Sequence, residues 1–360
     1  MTSIKVLHIY KTSAPLTYGG VETVIKTLIE KLNNQNITSD VACVGNHTAE
    51  INYKHSKINV FKKTFELASC PFSCDMFFKL PKLVKNYDVI HFHYPWPFAD
   101  LLSILFCREK RQITTYHSDI IKQKLLKLFY RFFEKLFLSK QKAIVYTSPQ
   151  YKKTSSNLKC YESKTHLIPI GIETPEQISK PDISIPKEYF IFVGVLRYYK
   201  GLHLLLQAMS MNNFNLLIVG SGPCKNQLKS LSQKLKLSNR VFFVGGRSDA
   251  EKNYLIKNSI SMVLPSHLRS EAYGISLVEG LAMGKPLISC KIGTGTEYIN
   301  KHGITGLCVA PDPMSIDQAM QKIMRPSMKE KFSRNAHLRF KKFFSADTMA
   351  SKYLHLYNSL

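Results

Sequence analysis

Short β-rich apolar runs alternate with longer amphipathic stretches along this chain, once over residues 4–169 and again over residues 189–309. The first series has runs at Ile4 to Tyr10, Asp40 to Val44, Val89 to His93, Ile113 to Tyr116, Ala143 to Thr147 and His166 to Pro169. After the first of these, Val21, Val24, Ile25, Leu28 and Leu32 share one face of a helix predicted over Gly20 to Leu32. Strands separated by helix-length crossovers pair in parallel, so the pattern predicts an α/β domain.

The second series runs through Tyr189 to Val193, Asn215 to Val219, Arg240 to Val244, Ile260 to Leu264, Pro286 to Ser289 and Thr305 to Val309. Helices are predicted between them over Gly201 to Met211, Cys224 to Leu235, Ala250 to Asn258 and Gly274 to Met283. Separating the two series, Thr174 to Pro186 holds three prolines and no hydrophobic period, which reads as a linker. A chain of 360 residues exceeds one ordinary core and suits two domains of about 150 to 200 residues. The expected organisation is a domain over 1–173, a linker over 174–187, a second domain over 188–342 and a closing helix over 343–360 that can cross back to the first domain. In open α/β sheets ligands bind beyond the carboxyl ends of the strands, so functional residues are sought just after strands.

Fifty Lys and Arg against 25 Asp and Glu leave a net charge of +25, which favours anionic partners: nucleic acid, an anionic bilayer or phosphorylated substrates. The excess divides almost evenly between the halves with no basic tail, and the aromatic residues fall mostly in apolar stripes. Both points argue against a nucleic-acid-binding protein. Eight cysteines are scattered, Cys70 and Cys74 being the only close pair, with no paired CxxC units for a zinc site. Met1 to Tyr10 reads as a strand and not as a signal peptide, and no apolar run reaches the length of a membrane span. The expectation is a cytoplasmic protein in a reducing compartment.

Ser270-Glu271-Ala272-Tyr273-Gly274-Ile275-Ser276-Leu277-Val278-Glu279 follows one predicted strand and enters a helix. The amides of Gly274, Ile275 and Ser276 would form an anion site aided by the helix dipole. Glu271 on the loop could face a ligand, and Glu279 could accept both hydroxyls of a ribose. Alternatively, Glu271 is a helix-start charge and Glu279 a surface residue. A second strand-to-helix junction, Gly194-Val195-Leu196-Arg197-Tyr198-Tyr199-Lys200-Gly201, offers Arg197 and Lys200 to a diphosphate. Those cations could neutralise a departing nucleoside diphosphate, the work a metal does elsewhere, and the chain has no Asp-x-Asp motif.

These motifs resemble the retaining glycosyltransferases of family 4. The E-x7-E pair is Glu271 and Glu279, while Pro265-Ser266-His267-Leu268-Arg269-Ser270 and Gly293-Thr294-Gly295-Thr296 are similar to bacterial mannosyl- and related transferases of surface polysaccharide synthesis. The likeness extends through Gly19-Gly20, His117 and Ile168 to Glu173. It implies the GT-B fold, two Rossmann-like doubly wound parallel-sheet domains facing a central cleft. It implies Lys200 on the donor diphosphate, Glu271 near the transferred sugar, Glu279 on the ribose and His117 near the donor sugar. One departure is Val195, where the family usually has an arginine; Arg197 is the candidate replacement.

The resemblance leans toward GDP-mannose as donor, with UDP-sugars next and Asp249 a candidate base-reading residue. It implies a glycan or lipid-linked glycan acceptor, with no cofactor and no metal. Nucleotide-sugar epimerases share the fold but fit the Lys200 and E-x7-E motifs less well. In the first half, Gly19 and Gly20 precede a helix and could let backbone approach a phosphate, although the G-x-G-x-x-G spacing is absent. His91 and His93 share one strand face, but the sequence supplies no convincing further metal ligand. From Ile121 to Leu138, an apolar stripe (Leu125, Leu128, Phe129, Phe132, Phe133, Leu136) lies beside Lys124, Lys127, Arg131 and Lys135. It reads as a core-packed helix with a basic face, or as a surface lying on the anionic inner membrane face.

Overall fold

The computed structural model describes residues 3–17, 19–35, 37–119 and 124–360. It divides into two units, residues 1–171 with 346–360, and residues 172–345. The closing helix Ala346–Ser359 thus belongs to the first unit. The break falls at Gly171, ahead of the expected linker. That linker is part of the second unit: Ser179 N donates to Ala250 O (3.1 Å) and Asn253 Nδ2 to Gln177 O (3.1 Å), tying it to the helix Asp249–Lys257.

The first unit contains β1 (Ile4–Ile9), β2 (Ile37–Gly45), β3 (Ala49–Tyr53), β4 (Ser56–Lys62), β5 (Phe65–Leu67), β6 (Cys70–Phe72), β7 (Val89–Tyr94), β8 (Arg111–Tyr116), β9 (Ala143–Tyr146) and β10 (Thr165–Leu167). Eight of them form one sheet in the order β10-β9-β8-β7-β1-β2-β4-β3. Every pair is parallel except β3 with β4. The order reverses between β1 and β7. The helix Gly20–Leu32 lays Ile25 and Ile29 onto Tyr10, Val41, Cys43, Ile58 and Val60, which is the face its apolar spacing predicts.

In the second unit, β11 (Phe190–Val193), β12 (Leu216–Val219), β13 (Val241–Gly245), β14 (Met262–Leu264), β15 (Leu287–Cys290) and β16 (Gly306–Val309) pair in the order β13-β12-β11-β14-β15-β16, all parallel. This is the doubly wound arrangement, with its reversal between β11 and β14. Both faces of these strands are covered. Phe190 to Phe192 and Leu216 to Ile218 have no exposed surface, so nearly every residue must be apolar.

The basic helix fits the core-packed one of its two readings only in part. It spans Lys124–Lys140, and the side chains of residues 121–129 lie outside the described set. Over its remaining turns the buried face is Glu134, Phe137 and Leu138. Phe132 and Phe133, which the core-packed reading would bury, are 70% and 45% exposed. The buried position is a carboxylate with its own partners: Glu134 Oε1 accepts from Tyr94 Oη and from Asn157 Nδ2 (2.7 Å). No helix among the described residues is long and apolar enough to cross a membrane.

Candidate functional site

In the second unit the chain leaves β11 and β14, the two strands flanking the reversal, through loops that must touch. The β11 loop ends in a 3-10 turn, Tyr198–Lys200, closed by Gly201 at φ +71°. A Cβ on residue 201 would stand inside the van der Waals shell of the Pro265 carbonyl oxygen, so only glycine allows this approach. His267 N then donates to Tyr199 O at 3.1 Å, fastening the loops together.

The junction brings Lys200 and Glu271 into contact. Lys200 Nζ donates to Glu271 Oε2 at 2.5 Å, and Ser266 Oγ donates to the same oxygen at 3.0 Å. Both charged side chains are nearly buried, at 12% and 9% exposure, so the pair is desolvated and fixed. An ammonium carries three N–H groups, so Lys200 can hold Glu271 and still donate to an arriving anion. Gly194 leaves room beside it: a Cβ there would lie 3.8 Å from Lys200 Nζ. Arg197 stands on the same turn, exposed and without a side-chain partner among the described residues.

Beyond Glu271 the backbone turns at Gly274 (φ +94°) into the helix Ile275–Ala282. Among the described residues the amides of Gly274, Ile275 and Ser276 have no acceptor. Unsatisfied N–H groups at a helix start have the geometry that suits an anion. The turn is braced from the neighbouring loop, where Gly295 N donates to Ala272 O (2.9 Å) and Arg269 Nη1 to Gly293 O (3.0 Å).

Glu279 is not a lone surface charge. Lys252 Nζ meets its Oε1 at 2.8 Å and Asp249 Oδ1 at 2.7 Å. Burial alone would lower Lys252, yet Glu279 and Asp249 together hold it above its usual value. Asp249 itself is 90% exposed. Lys252 and Ser266 were not singled out from the sequence, because each matters only through a partner distant along the chain.

The first unit gathers histidines at its own reversal. His8 on β1 is in register with His91 on β7. His93 lies two residues further on the same face, and His117 follows β8. His8, which sequence reading passed over, completes the cluster. Its Nε2 pairs with Ser39 Oγ (2.9 Å) and its Nδ1 with His93 Nε2 (3.1 Å), while His93 Nδ1 pairs with His117 Nε2 (3.1 Å). His91 bonds Tyr357 Oη and Thr115 Oγ1, both at 2.7 Å. Burial lowers all four: His8 and His117 to about 3, His91 and His93 well below the usual value, so each ring is neutral near pH 7.

Nitrogens of His8, His91 and His93 lie within 4.8 Å of one another, the proximity a metal site requires. All six already have hydrogen-bond partners, and the His91 and His93 rings stack at 4.4 Å and 25°, which sets their in-plane lone pairs side by side. The arrangement suits a hydrogen-bonded stack better than a coordination shell. Gly19 precedes the helix that Gly20 opens, but the Glu22 carboxylate, held by Thr12 Oγ1 at 2.5 Å, crowds the position a Gly19 Cβ would take. A phosphate at Gly19 and Gly20 would face that negative charge.

Two doubly wound sheets, the first parallel but for its β3–β4 edge and the second parallel throughout, define an α/β protein of the GT-B class. Residues 18–176 match the model of Glycosyltransferase Family 4, and residues 173–339 that of Glycosyl transferases group 1. The O-antigen chain mannosyltransferase C of Escherichia coli is 37% identical, with 99% of each chain covered. The D-rhamnosyltransferase WbpZ of Pseudomonas aeruginosa is 40% identical over 95% of this chain and 93% of that protein. Among solved structures, sucrose-phosphate synthase from Thermosynechococcus elongatus has a TM-score of 0.80 at 22% identity, covering 99% and 98% of the two chains. Anabaena HepE in complex with UDP has a TM-score of 0.82 at 17% identity, covering 99% and 100%. This chain belongs to the family 4 glycosyltransferases and is a sugar-transferring enzyme.

Proposed function

We propose that the protein transfers a hexosyl group, mannose from GDP-mannose, to a growing lipid-linked O-antigen-type glycan with retention of anomeric configuration. The observation that carries the transfer reading is the Lys200–Glu271 contact beside the free amides of Gly274 to Ser276. Mannose and the O-antigen-type glycan are supported by the name of the Escherichia coli relative, while the Pseudomonas aeruginosa relative is named for D-rhamnose. In this reading the acceptor hydroxyl attacks from the side of the leaving diphosphate. A diphosphate oxygen takes its proton as the old glycosidic bond opens and the new one forms. Negative charge grows on the diphosphate, where Lys200, Arg197 and the three amides stabilise it without a divalent ion.

Lys200 and Glu271 nearly cancel each other. Net positive potential for the diphosphate therefore comes from the amides and from Arg197, while Lys200 supplies directed N–H groups. Glu271, held by Lys200 and Ser266, can accept from a sugar hydroxyl, Glu279 from the ribose, and His117 contacts the sugar. The test is transfer from radiolabelled GDP-mannose, against a panel of UDP-sugars, to lipid-linked glycan acceptors, with the product linkage read by NMR. A UDP-sugar used in place of GDP-mannose would shift the donor assignment; an inverted linkage would remove the retaining mechanism.

A peripheral membrane role is favoured by one specific feature, the exposed Phe132 and Phe133 next to exposed Arg131 and Lys135. Flotation with anionic liposomes tests it. Binding should fall when both phenylalanines become serine, and no binding by the unaltered protein would end the proposal.

A further inference from the structure

A hydrogen-bonded line runs from Ser39 through His8 and His93 to His117. Four groups carry one transferable hydrogen each, as expected for a hydroxyl and three neutral imidazoles. They form three links, so one hydrogen must be left at an end. Ser39 has no exposed surface, and its hydroxyl finds no partner other than His8 among the described residues. If that end kept the spare hydrogen, a buried O–H would point at nothing, which native structures rarely tolerate. The opposite end is more open: His117 is 8% exposed, while Ser39, His8 and His93 are at 1% or less.

The polarity of the line follows. Ser39 Oγ donates to His8 Nε2, His8 Nδ1 to His93 Nε2, and His93 Nδ1 to His117 Nε2. The remaining hydrogen then sits on His117 Nδ1, the ring nitrogen with no partner among the described residues. We infer that Ser39, His8 and His93 are positioning residues that fix His117 with its hydrogen on Nδ1, so that it meets a substrate oxygen as a donor and cannot act there as a base. The inference rests on the proposed placement of His117 at the sugar only for its effect on turnover; the tautomer follows from the hydrogen-bond count alone.

The recipient is an oxygen acceptor, such as a sugar hydroxyl or a phosphate oxygen. Because the free nitrogen carries a hydrogen, it cannot take a proton from the attacking hydroxyl. That function is left to the diphosphate oxygen.

The experiment is proton–nitrogen correlation NMR on protein labelled with 15N-histidine, at pH 7, where ring nitrogen shifts and long-range couplings separate the two neutral tautomers. His8, His93 and His117 should all be neutral with hydrogen on Nδ1. Ser39→Ala removes the instructing donor and should move all three toward a mixture of tautomers; Ser39→Thr, which keeps a hydroxyl, should restore them. Any of the three found charged or carrying hydrogen on Nε2 in the unaltered protein would overturn the inference, and that spectrum decides even if Ser39→Ala fails to fold. Three spectra unchanged in a folded Ser39→Ala protein would overturn it as well.

In turnover, Ser39→Ala should lower kcat roughly 5-fold with donor KM little changed and recovery in Ser39→Thr, the direction seen when a catalytic histidine is held in the wrong tautomer. The expected tautomers with unmoved kcat would leave the positioning line intact and take His117 out of the transfer step.

Discussion

The two units set opposite kinds of side chain on one architecture. Each places its polar residues where the strand order of a parallel sheet reverses, between β1 and β7 in the first and between β11 and β14 in the second. In the first unit those residues are buried neutral imidazoles, three of them (His8, His93 and His117) linked end to end by hydrogen bonds. In the second they are charges, each carboxylate of the E-x7-E pair with its own lysine: Lys200 on Glu271 and Lys252 on Glu279. The comparison separates two demands on a sugar transferase. Hydroxyl groups are oriented well by uncharged donors and acceptors in a dry setting, whereas a diphosphate needs fixed positive potential that does not have to reorganise.

The largest consequence is in acid stability. His8 and His117 have folded values near 3, far below the ordinary histidine value, and His91 and His93 are lowered in the same direction. Below about pH 6.5 the unfolded chain binds protons that the folded chain refuses, so stability is lost as pH falls from about 6.5 toward 3. His8 and His117 together should cost about 3 kcal/mol per pH unit across that window. Hydrogen exchange at stepped pH should show β1 and β7 losing protection before β11 and β14. Equal acid sensitivity of the two sheets would break the contrast.

Next in size is Lys200→Ala, which removes the proposed diphosphate donor and leaves Glu271 without its ion-pair partner. Turnover should fall by about 100-fold or more, roughly 3 kcal/mol. Steady-state kinetics at saturating donor checks this, and near-normal kcat would remove Lys200 from the transfer step. Gly201→Ala should destabilise the second unit by about 2 kcal/mol, because residue 201 combines a left-handed backbone with the Pro265 carbonyl contact. Urea unfolding, compared with an exposed control such as Gly246→Ala, would show whether that contact is as rigid as described. Glu279→Gln should be smallest: donor affinity weakened about 10-fold, near 1.4 kcal/mol, with kcat little changed. Calorimetric titration with nucleoside diphosphate reads it.

Much of the second unit could be anticipated from residue order, because buried parallel strands must be nearly all apolar and the motifs follow directly after them. Ile260 to Leu264 was expected as a strand, and Met262–Leu264 is one. The first unit was less legible. The antiparallel pair β3 and β4 was missed: Ala49–Tyr53 alternates half-buried and exposed residues and carries Glu50 and Asn52, so its apolar signal is weak. The basic helix stayed open between two readings because its pattern does not show that phenylalanines occupy the exposed side while a carboxylate, Glu134, is buried. Side chains whose meaning lies in a distant partner left no local pattern. Lys252 needs Glu279, Ser266 needs Glu271, and His8 needs Ser39 and His93.

The proposed function requires the second unit to grip a diphosphate through Lys200 and the amides of Gly274 to Ser276 without a divalent ion. Calorimetric titration of GDP and UDP in the presence of EDTA, on the unaltered protein and on Lys200→Ala, tests it most directly. Binding of one nucleotide should survive EDTA and weaken by about 30-fold or more in the variant, about 2 kcal/mol. Binding that requires a divalent ion, or that is indifferent to Lys200→Ala, would contradict it.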